Sequence, residues 1–494
     1  MTQAVATFVY VLVICGLFAL DRDPKARTSG ALWIPALWLL INGSRPVSSW
    51  FETGPVIDSP EKYLDGSPLD AAVFGVLLAA GLVVLFSRRR LVATFLRANA
   101  PVLIFFGYCA ISILWSDYPF VAFKRWTKAV GDVVMVMVVL TDPDRLSAIK
   151  KWLARLGFVL VPLSILLIKY YPELGRSYNP WTFIPMYAGV TLGKNLLGMT
   201  CLIAGLGSVW RFVSAYQSRK SAFRTRQMIA HGALVAMVIW LLAMANSMTS
   251  LSCFAMAGGL IVVTGLFRFA RRPAVVHLLV ASVVGISLCA LFLPQTGLVE
   301  SLGRDATLTG RTAIWNVVIS LAGNPLLGCG FESFWLGQRL QKVWDMTERG
   351  IQEAHNGYLE VYLNLGWIGV TLLGVIIVTG YRNAVAALRR GRDEASGLLL
   401  AFLIVGVVYN FTEAGFRMMS VVWIAFLFAV MAASKSVSAA EVATGNRSKP
   451  VRAKAAVAGS EAWVAEVEMH VAPTGGFSKQ MRTRGQGLMK ETVS

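Results

Sequence analysis

Apolar residues along this chain fall into long, nearly uncharged blocks separated by charged or turn-rich connections. That is the pattern of helices that cross a bilayer, and one soluble core does not produce it. Runs bounded by charge, Pro or Gly predict membrane helices at about 4–20, 31–43, 69–86, 101–115, 126–140, 152–168, 188–209, 229–246, 251–267, 274–294, 357–379, 397–412 and 418–433. Several fall short of the roughly 20 residues a full crossing needs. The second, with Pro35 inside it, and the fifth are the weakest. The predicted fold is an all-α integral membrane bundle of about 12–13 transmembrane helices over residues 1–433, with short helices in one large connection at 295–355. The first run lacks the basic leader and small-residue cleavage site of a signal peptide.

Composition agrees: 56% of the residues are hydrophobic and 15% charged, and mean hydropathy is +0.61, too little polar surface to cover a soluble protein of 494 residues. The six cysteines form no CxxC pair and no His/Cys cluster, so neither zinc nor a disulfide framework is indicated. The formal net charge of +19 would suit nucleic acid, but its distribution excludes that reading. The cations gather in alternate connections: Arg22, Lys25 and Arg27; Arg88, Arg89 and Arg90; Lys150 and Lys151; Arg268, Arg271 and Arg272; Arg389 and Arg390. This is the positive-inside signal, with contact to a lipid bilayer and no nucleic-acid partner. It puts these connections and the basic tail, residues 434–494, in the cytoplasm, and 295–355 outside. The tail is rich in Ala, Ser, Gly and Lys without an apolar period and is expected to be disordered.

Ionisable groups within spans cost about 2.5–3.5 kcal/mol each at mid-helix. Here they are few and lie toward the outer side. Lys128 and Asp132, four residues apart, can pair on one helix face. Lys194 lies inside the seventh span between Gly193 and Asn195, and Glu360 and Glu413 lie near outer helix ends. Asp117, Lys124, Arg125 and Arg417 occupy outer loops or rims, which suggests a cavity open to the outside.

Two segments of the outer connection carry chemistry. In SLGRDATLTGRTAIWNVVISLAGNPLLGCGFESF, Thr307 or Thr309 can cap a helix starting near Gly310, placing Arg311 in its first turn. A helix N-terminus with an arginine beside it receives phosphate well. Arg304 joins that face only if the helix extends back past Gly310. In EAHNGYLEVYLNLGWIGV, His355 opens the eleventh span beside Asn356 and is the one histidine in an outer connection. An unperturbed imidazole has a pKa of about 6.5 and can take a proton from a hydroxyl near neutral pH. Glu353 and Glu360 are both candidates to orient it.

The pairing of TGRTAIW and NPLLGCGFESF with EAHNGYLEVYLNLGWIG resembles the signature of the O-antigen ligase and polysaccharide polymerase superfamily. NGSRPVSSWF, ILWSDYPFVAFKRW and GVTLGKNLLG look like its ExoQ-type exopolysaccharide polymerase branch. The likeness covers roughly residues 30–430. It implies a glycosyltransferase of the bacterial inner membrane that works at the periplasmic face without cofactor or metal. The donor would be a polyprenyl-diphosphate-linked oligosaccharide, with other polysaccharide assembly and chain-length proteins as partners. By resemblance, His355 activates or positions the acceptor hydroxyl and Arg311 holds the diphosphate. Lys194 falls where ligases often carry an arginine, and Arg125, Lys124, Arg304, Arg417, Glu360 and Asn356 complete the expected substrate site. Chemistry points the same way: a diphosphate leaving group needs cations against its growing charge, and Arg311, Lys194 and Lys124 or Arg125 could supply them without a metal.

Two other readings remain open. An O-antigen ligase would share these motifs and pass the glycan to lipid A–core instead. A lipid-linked sugar flippase would commonly show repeated halves with broken helices near the midplane; no such repeat is visible, and the one-sided polar groups suit a reaction site better.

Overall fold

The computed structural model describes residues 1–52, 64, 66–178, 185–218, 223–292, 307–347, 350–391 and 394–434, and the backbone of three short segments beyond them. The chain divides into two units, Met1–Glu441 and Val442–Ser494.

The first unit is helical. In chain order its longer helices are α1 (Gln3–Asp21), α2 (Trp33–Asn42), α3 (Pro68–Ser87), α4 (Arg89–Ala98), α5 (Ala100–Ile111), α6 (Pro119–Leu140), α7 (Arg145–Tyr170) and α8 (Lys194–Gln217). Then follow α9 (Arg224–Ala245), α10 (Met248–Leu266), α11 (Pro273–Phe292), α12 (Thr307–Ser320), α13 (Gly337–Met346), α14 (Gly357–Arg390), α15 (Ser396–Tyr409) and α16 (Val421–Ala432). One two-stranded hairpin, β1 (Arg176–Tyr178) with β2 (Pro185–Tyr187), joins α7 to α8. Local signals set the ends. Ser67 caps α3 ahead of Pro68, Asp144 caps α7 by accepting from the Ser147 amide at 3.1 Å, and Gly391 closes α14 in the left-handed region.

Each predicted apolar run contains a helix among the described residues, and the protein is an all-α polytopic membrane protein; the seventh run is helical only from Lys194, so Lys194 opens its helix and does not lie inside a span as expected. The span count is lower than expected. Among the described residues seven helices are long and apolar enough to cross a bilayer: α1, α3, α7, α8, α9, α10 and α14. An eighth is the pair α4 and α5, bent by 88° at its break. The second, tenth, twelfth and thirteenth predicted runs are apolar helices of 10–17 residues. The fifth is the 22-residue α6, whose Lys124, Arg125, Lys128 and Asp132 make it too charged to count. The short helices have a physical reason. α16 is buried along its whole length and meets α15 through an irregular segment, 410–420, that contains Asn410, Glu413 and Arg417. Irregular backbone with buried polar groups is tolerated in a membrane protein where other parts of the protein surround it.

The two sides of the bundle differ. α8 packs among α7, α9 and α10 and forms the core with α15 and α16. In contrast, α1 and α3 leave Phe8, Leu12, Val76 and Val83 exposed, as lipid-facing helices do. A second, smaller core lies between residues 314 and 363, where Val318, Phe334, Trp335, Leu340 and Leu363 are buried together.

The expected ion pair within α6 does not form. Asp132 accepts hydrogen bonds from Trp38 Nε1 at 2.8 Å and the Met419 amide at 2.8 Å, while Lys128 lies over the Phe74 ring. Partners distant in sequence satisfy the buried carboxylate, so the i, i+4 cation is not needed.

In the second unit the backbone of β3 (Glu466–Val471), β4 (Phe477–Arg482) and β5 (Met489–Glu491) forms an antiparallel sheet in that order. This differs from the expectation of a tail without regular structure.

Candidate active site

The site is built around the first turn of α14. Asn356 caps it: its Oδ1 accepts from the Tyr358 and Leu359 amides at 3.0 Å, and its Nδ2 donates to the Phe411 carbonyl at 3.3 Å. Gly357 must be glycine, because a Cβ there would overlap the side chain of Asn410. Its amide donates to the Asn410 and Glu413 carbonyls at 3.0 and 3.1 Å, which docks the turn against the 410–416 segment. Glu360, buried, accepts from the Ala354 amide at 2.6 Å and from Trp335 Nε1 at 2.8 Å. Asn356 and Glu360, expected at the substrate, thus have their polar atoms engaged by the protein and act as scaffold.

These contacts hold His355 at φ +49°, a left-handed conformation. For a non-glycine residue this costs on the order of 1–3 kcal/mol and persists only where the surroundings over-determine it. Glu332 (φ +50°) and Met419 (φ +62°) share that conformation beside the same site.

The two motif segments of the sequence are bonded to each other. α14 breaks at Gly366, whose φ of +61° and ψ of −165° interrupt the helix. The NPLLGCGF stretch fills the break. The Cys329 and Gly330 amides donate to the Leu363 and Asn364 carbonyls at 3.1 and 2.9 Å, and the Trp367 and Ile368 amides to the Pro325 and Leu326 carbonyls at 2.9 and 3.2 Å. Asn364 Oδ1 accepts from the Ser333 and Phe334 amides at 2.8 and 3.0 Å.

At the mouth of this scaffold runs a chain of charges. Glu413, from the 410–420 segment, accepts from Arg311 Nη2 of α12 at 3.0 Å through Oε1 and from His355 Nδ1 at 3.3 Å through Oε2. Asn195 Nδ2, from the first turn of α8, lies 3.4 Å from both oxygens. His355 Nδ1 is also 3.0 Å from Glu353 Oε1, and Glu353 Oε2 accepts from Arg417 Nη1 at 3.0 Å. Glu413 is the shielded member, 6% exposed, while Arg311, His355 and Glu353 are 20%, 28% and 31% exposed.

Burial alone would lower the His355 pKa, but hydrogen bonds to Glu353 and Glu413 and their charges overcome it and raise the value to about 9. Burial would raise that of Glu353, yet the His355 hydrogen bond and the Arg417 charge hold it down to about 2. Arg417 resists burial through the charges of Glu332, Glu353 and Glu360, and its pKa is raised. The two carboxylates thus favour the protonated imidazole, which offers a proton and a charge to whatever binds beside it.

The family described as O-Antigen ligase (Wzy_C) matches residues 232–374, from α9 into α14; the match contains Arg311, Glu353 and His355 and ends before Glu413. The chain is 26% identical over 320 residues to the exopolysaccharide production protein ExoQ of Rhizobium meliloti (strain 1021), covering 62% of this chain and 70% of that one. Both findings are likenesses over part of the chain: to the O-antigen ligase family across residues 232–374, and to an exopolysaccharide production protein across 320 residues.

Of the cations expected from the sequence, the structure gathers Arg311 and Arg417 around His355. Lys194 opens α8 beside Asn195, half-buried, without a hydrogen bond or ion pair among the described residues. Arg125 Nη1 donates to the Glu332 carbonyl, and Glu332 accepts from the Met418 amide at 3.3 Å, so Arg125 abuts the Arg417 side of the site. Lys124 points elsewhere, to the Leu64 carbonyl at 3.4 Å and the Phe120 ring. Arg304 lies outside the described residues. Arg311 sits in the second turn of α12, because the helix begins at Thr307.

Sequence reasoning missed Glu413 as a site residue. Its signal was a carboxylate ending an apolar run, which by itself reads as an ordinary helix end. Between the two candidate orienters of His355, the geometry selects Glu353 and joins Glu413 to it. Glu353, His355 and Glu413 bring ligand atoms within 4.8 Å of one another, a donor set that a divalent ion could use. Arg311 and Arg417 already neutralise the two carboxylates.

The Gly357 contact makes a prediction. Gly357→Ala pushes the first turn of α14 off the 410–416 segment, separating His355 from Glu413. A displacement of about 1 Å can cost on the order of a hundredfold in turnover. Turnover measured at matched membrane expression should fall by that order; wild-type turnover would mean that this docking does not set the site's geometry.

Proposed function

We propose that the protein is a membrane glycosyltransferase that joins polyprenyl-diphosphate-linked oligosaccharide repeat units into exopolysaccharide at the periplasmic face of the inner membrane. The observation that carries this is Glu413 joining Arg311 to His355 across 102 and 58 residues of chain, with free Lys194 one residue from Asn195. In this reading Arg311 and Lys194 take the diphosphate, and the His355 Nε2–H donates to the reacting oxygens. The acceptor hydroxyl oxygen bonds to the anomeric carbon as the sugar–phosphate bond breaks. The electron pair leaves on the polyprenyl diphosphate, and the hydroxyl proton passes to Glu413, which the incoming diphosphate has released from Arg311. Cations stabilise the departing charge without reorganisation at the moment of reaction. A single displacement inverts the anomeric centre. The lysine- and arginine-rich connections on the other side support the orientation.

The test is purified protein with polyprenyl-diphosphate repeat units, read as a ladder of longer lipid-linked glycans. We expect the ladder to persist in excess EDTA, since the guanidinium groups supply the charge a divalent ion would otherwise bring; loss on chelation and rescue by one divalent ion would reassign Glu353, His355 and Glu413. A ligase reading is favoured by the description of the matched family. Transfer to lipid A–core without chain growth would establish it in place of polymerisation.

A further inference from the structure

A second cavity, of about 940 Å³, lies at the other ends of α7 and α8 from the candidate site. Asn195 and Arg211 share α8, and their separation of 16 residues (211 − 195) at 1.5 Å per residue puts the cavity about 24 Å from Glu413's neighbour. Its wall is partly aromatic, with Phe18, Trp33 and Phe223. Five cations line it, Arg22, Lys150, Lys151, Arg155 and Arg211, against three carboxylates, Asp21, Asp23 and Glu394. The carboxylates are largely committed. Asp21 takes Arg211 at 2.7 Å and His231 at 3.1 Å, and Glu394 takes Lys150 at 2.9 Å.

Three cations are left without a carboxylate. Lys151 donates to the neutral Thr28 hydroxyl at 2.8 Å, Arg155 stacks 3.7 Å above the Trp33 ring, and Arg22 makes no hydrogen bond or ion pair among the described residues. Arg155 Nη1 and Arg211 Nε, both on cavity-lining residues, are shielded from solvent and meet no acceptor. Buried guanidinium donors normally find one. The cavity also adjoins α1, which contributes Phe18 and whose outer face is bare apolar surface: Phe8 and Leu12 are 64% and 54% exposed.

We propose that this cavity binds an anionic phospholipid. Its phosphodiester oxygens would accept from Arg155 and Arg211, Lys151 and Arg22 would face its remaining charge, and its acyl chains would run along α1. Planar guanidinium groups pair well with phosphate oxygens, and an apolar helix leading away from the cations suits a lipid better than a fully soluble ligand. The site is independent of the reaction proposed above.

Native mass spectrometry of the full chain in mixed micelles of phosphatidylglycerol and phosphatidylcholine tests it. We expect preferential retention of phosphatidylglycerol, reduced on the order of thirtyfold in a Lys151→Gln/Arg155→Gln variant from the loss of two membrane-facing cations. Equal retention of the two lipids by wild-type protein overturns the proposal, and so does unchanged preference in a folded variant. Should the variant not fold, the wild-type comparison decides alone. Inorganic phosphate at millimolar concentration is the competing arm: displacement of phosphatidylglycerol by it would identify a soluble phosphate ligand and overturn the lipid assignment.

Discussion

Glu413→Ala should abolish chain growth, with turnover falling on the order of a thousandfold or more, within the range for loss of a group that moves a proton in the transition state. The carboxylate is nearly buried and is the shared partner of Arg311 and His355, so its removal also leaves two cations facing each other across an empty position. That should destabilise the fold by about 1–3 kcal/mol, below the figure for a fully buried pair because Arg311 is partly solvated. Glu413→Gln separates the two effects. Its amide oxygen accepts from one of the two cations while its NH2 group meets the other, and it takes no proton, so the variant should lose less thermal stability than the alanine variant and remain inactive. Chain growth close to wild type in Glu413→Gln would remove Glu413 from the proton transfer, whatever the alanine variant does.

His355 carries the second large effect, and its sign discriminates between roles. His355→Ala should lose on the order of 10²–10³ in turnover, as for removal of one donor to a developing oxyanion. More telling is the pH dependence. An imidazolium that serves as a cation and donor is fully charged below its raised pKa, so activity should be flat through neutrality and fall as pH rises through about 9. A histidine serving as resting base would produce the reverse, a rate that climbs with pH up to the same value. His355→Lys, which keeps a charge but titrates higher, should retain measurable activity and shift the alkaline limb upward. A rate in wild-type protein that increases tenfold per pH unit between 7 and 9 would return His355 to the base assignment.

Much of the fold was legible because uncharged apolar runs in a membrane protein have one economical conformation, the helix. The runs at 4–20 and 152–168 fall within α1 and α7, and that at 229–246 overruns the end of α9 by one residue. Less legible was anything decided by long-range contact. The Lys128–Asp132 spacing suggested a pair, yet Asp132 is satisfied by Trp38 and Met419, 94 and 287 residues away. The candidate site divides the same way. Arg311 and His355 stood out because their residue types are rare in their surroundings. Glu413 did not, since its importance lies in bridging two residues that only the folded chain brings to it. The side chain of Asn356 caps the helix next to His355, a task for which Asn is among the preferred residues and which its place in the sequence did not distinguish from substrate contact.

The break in α14 bears on how the chain enters the membrane. After Gly366, Trp367–Arg390 is long enough to cross unaided, 24 residues or about 36 Å of helix. Before it, Gly357–Leu365 is only about 13 Å long and carries Glu360 and Asn364, which accept hydrogen bonds from Trp335, Ala354, Ser333 and Phe334 in the segment synthesised just ahead. An inserting translocon would therefore release the second half as an ordinary anchor and leave the first half to be seated later, when residues 325–335 fold over it. Assembly of the face that carries His355 thus becomes a post-insertional event. Cysteine-accessibility mapping during synthesis should find Leu327 and Leu359 open to aqueous reagent after Val375 is already protected by lipid.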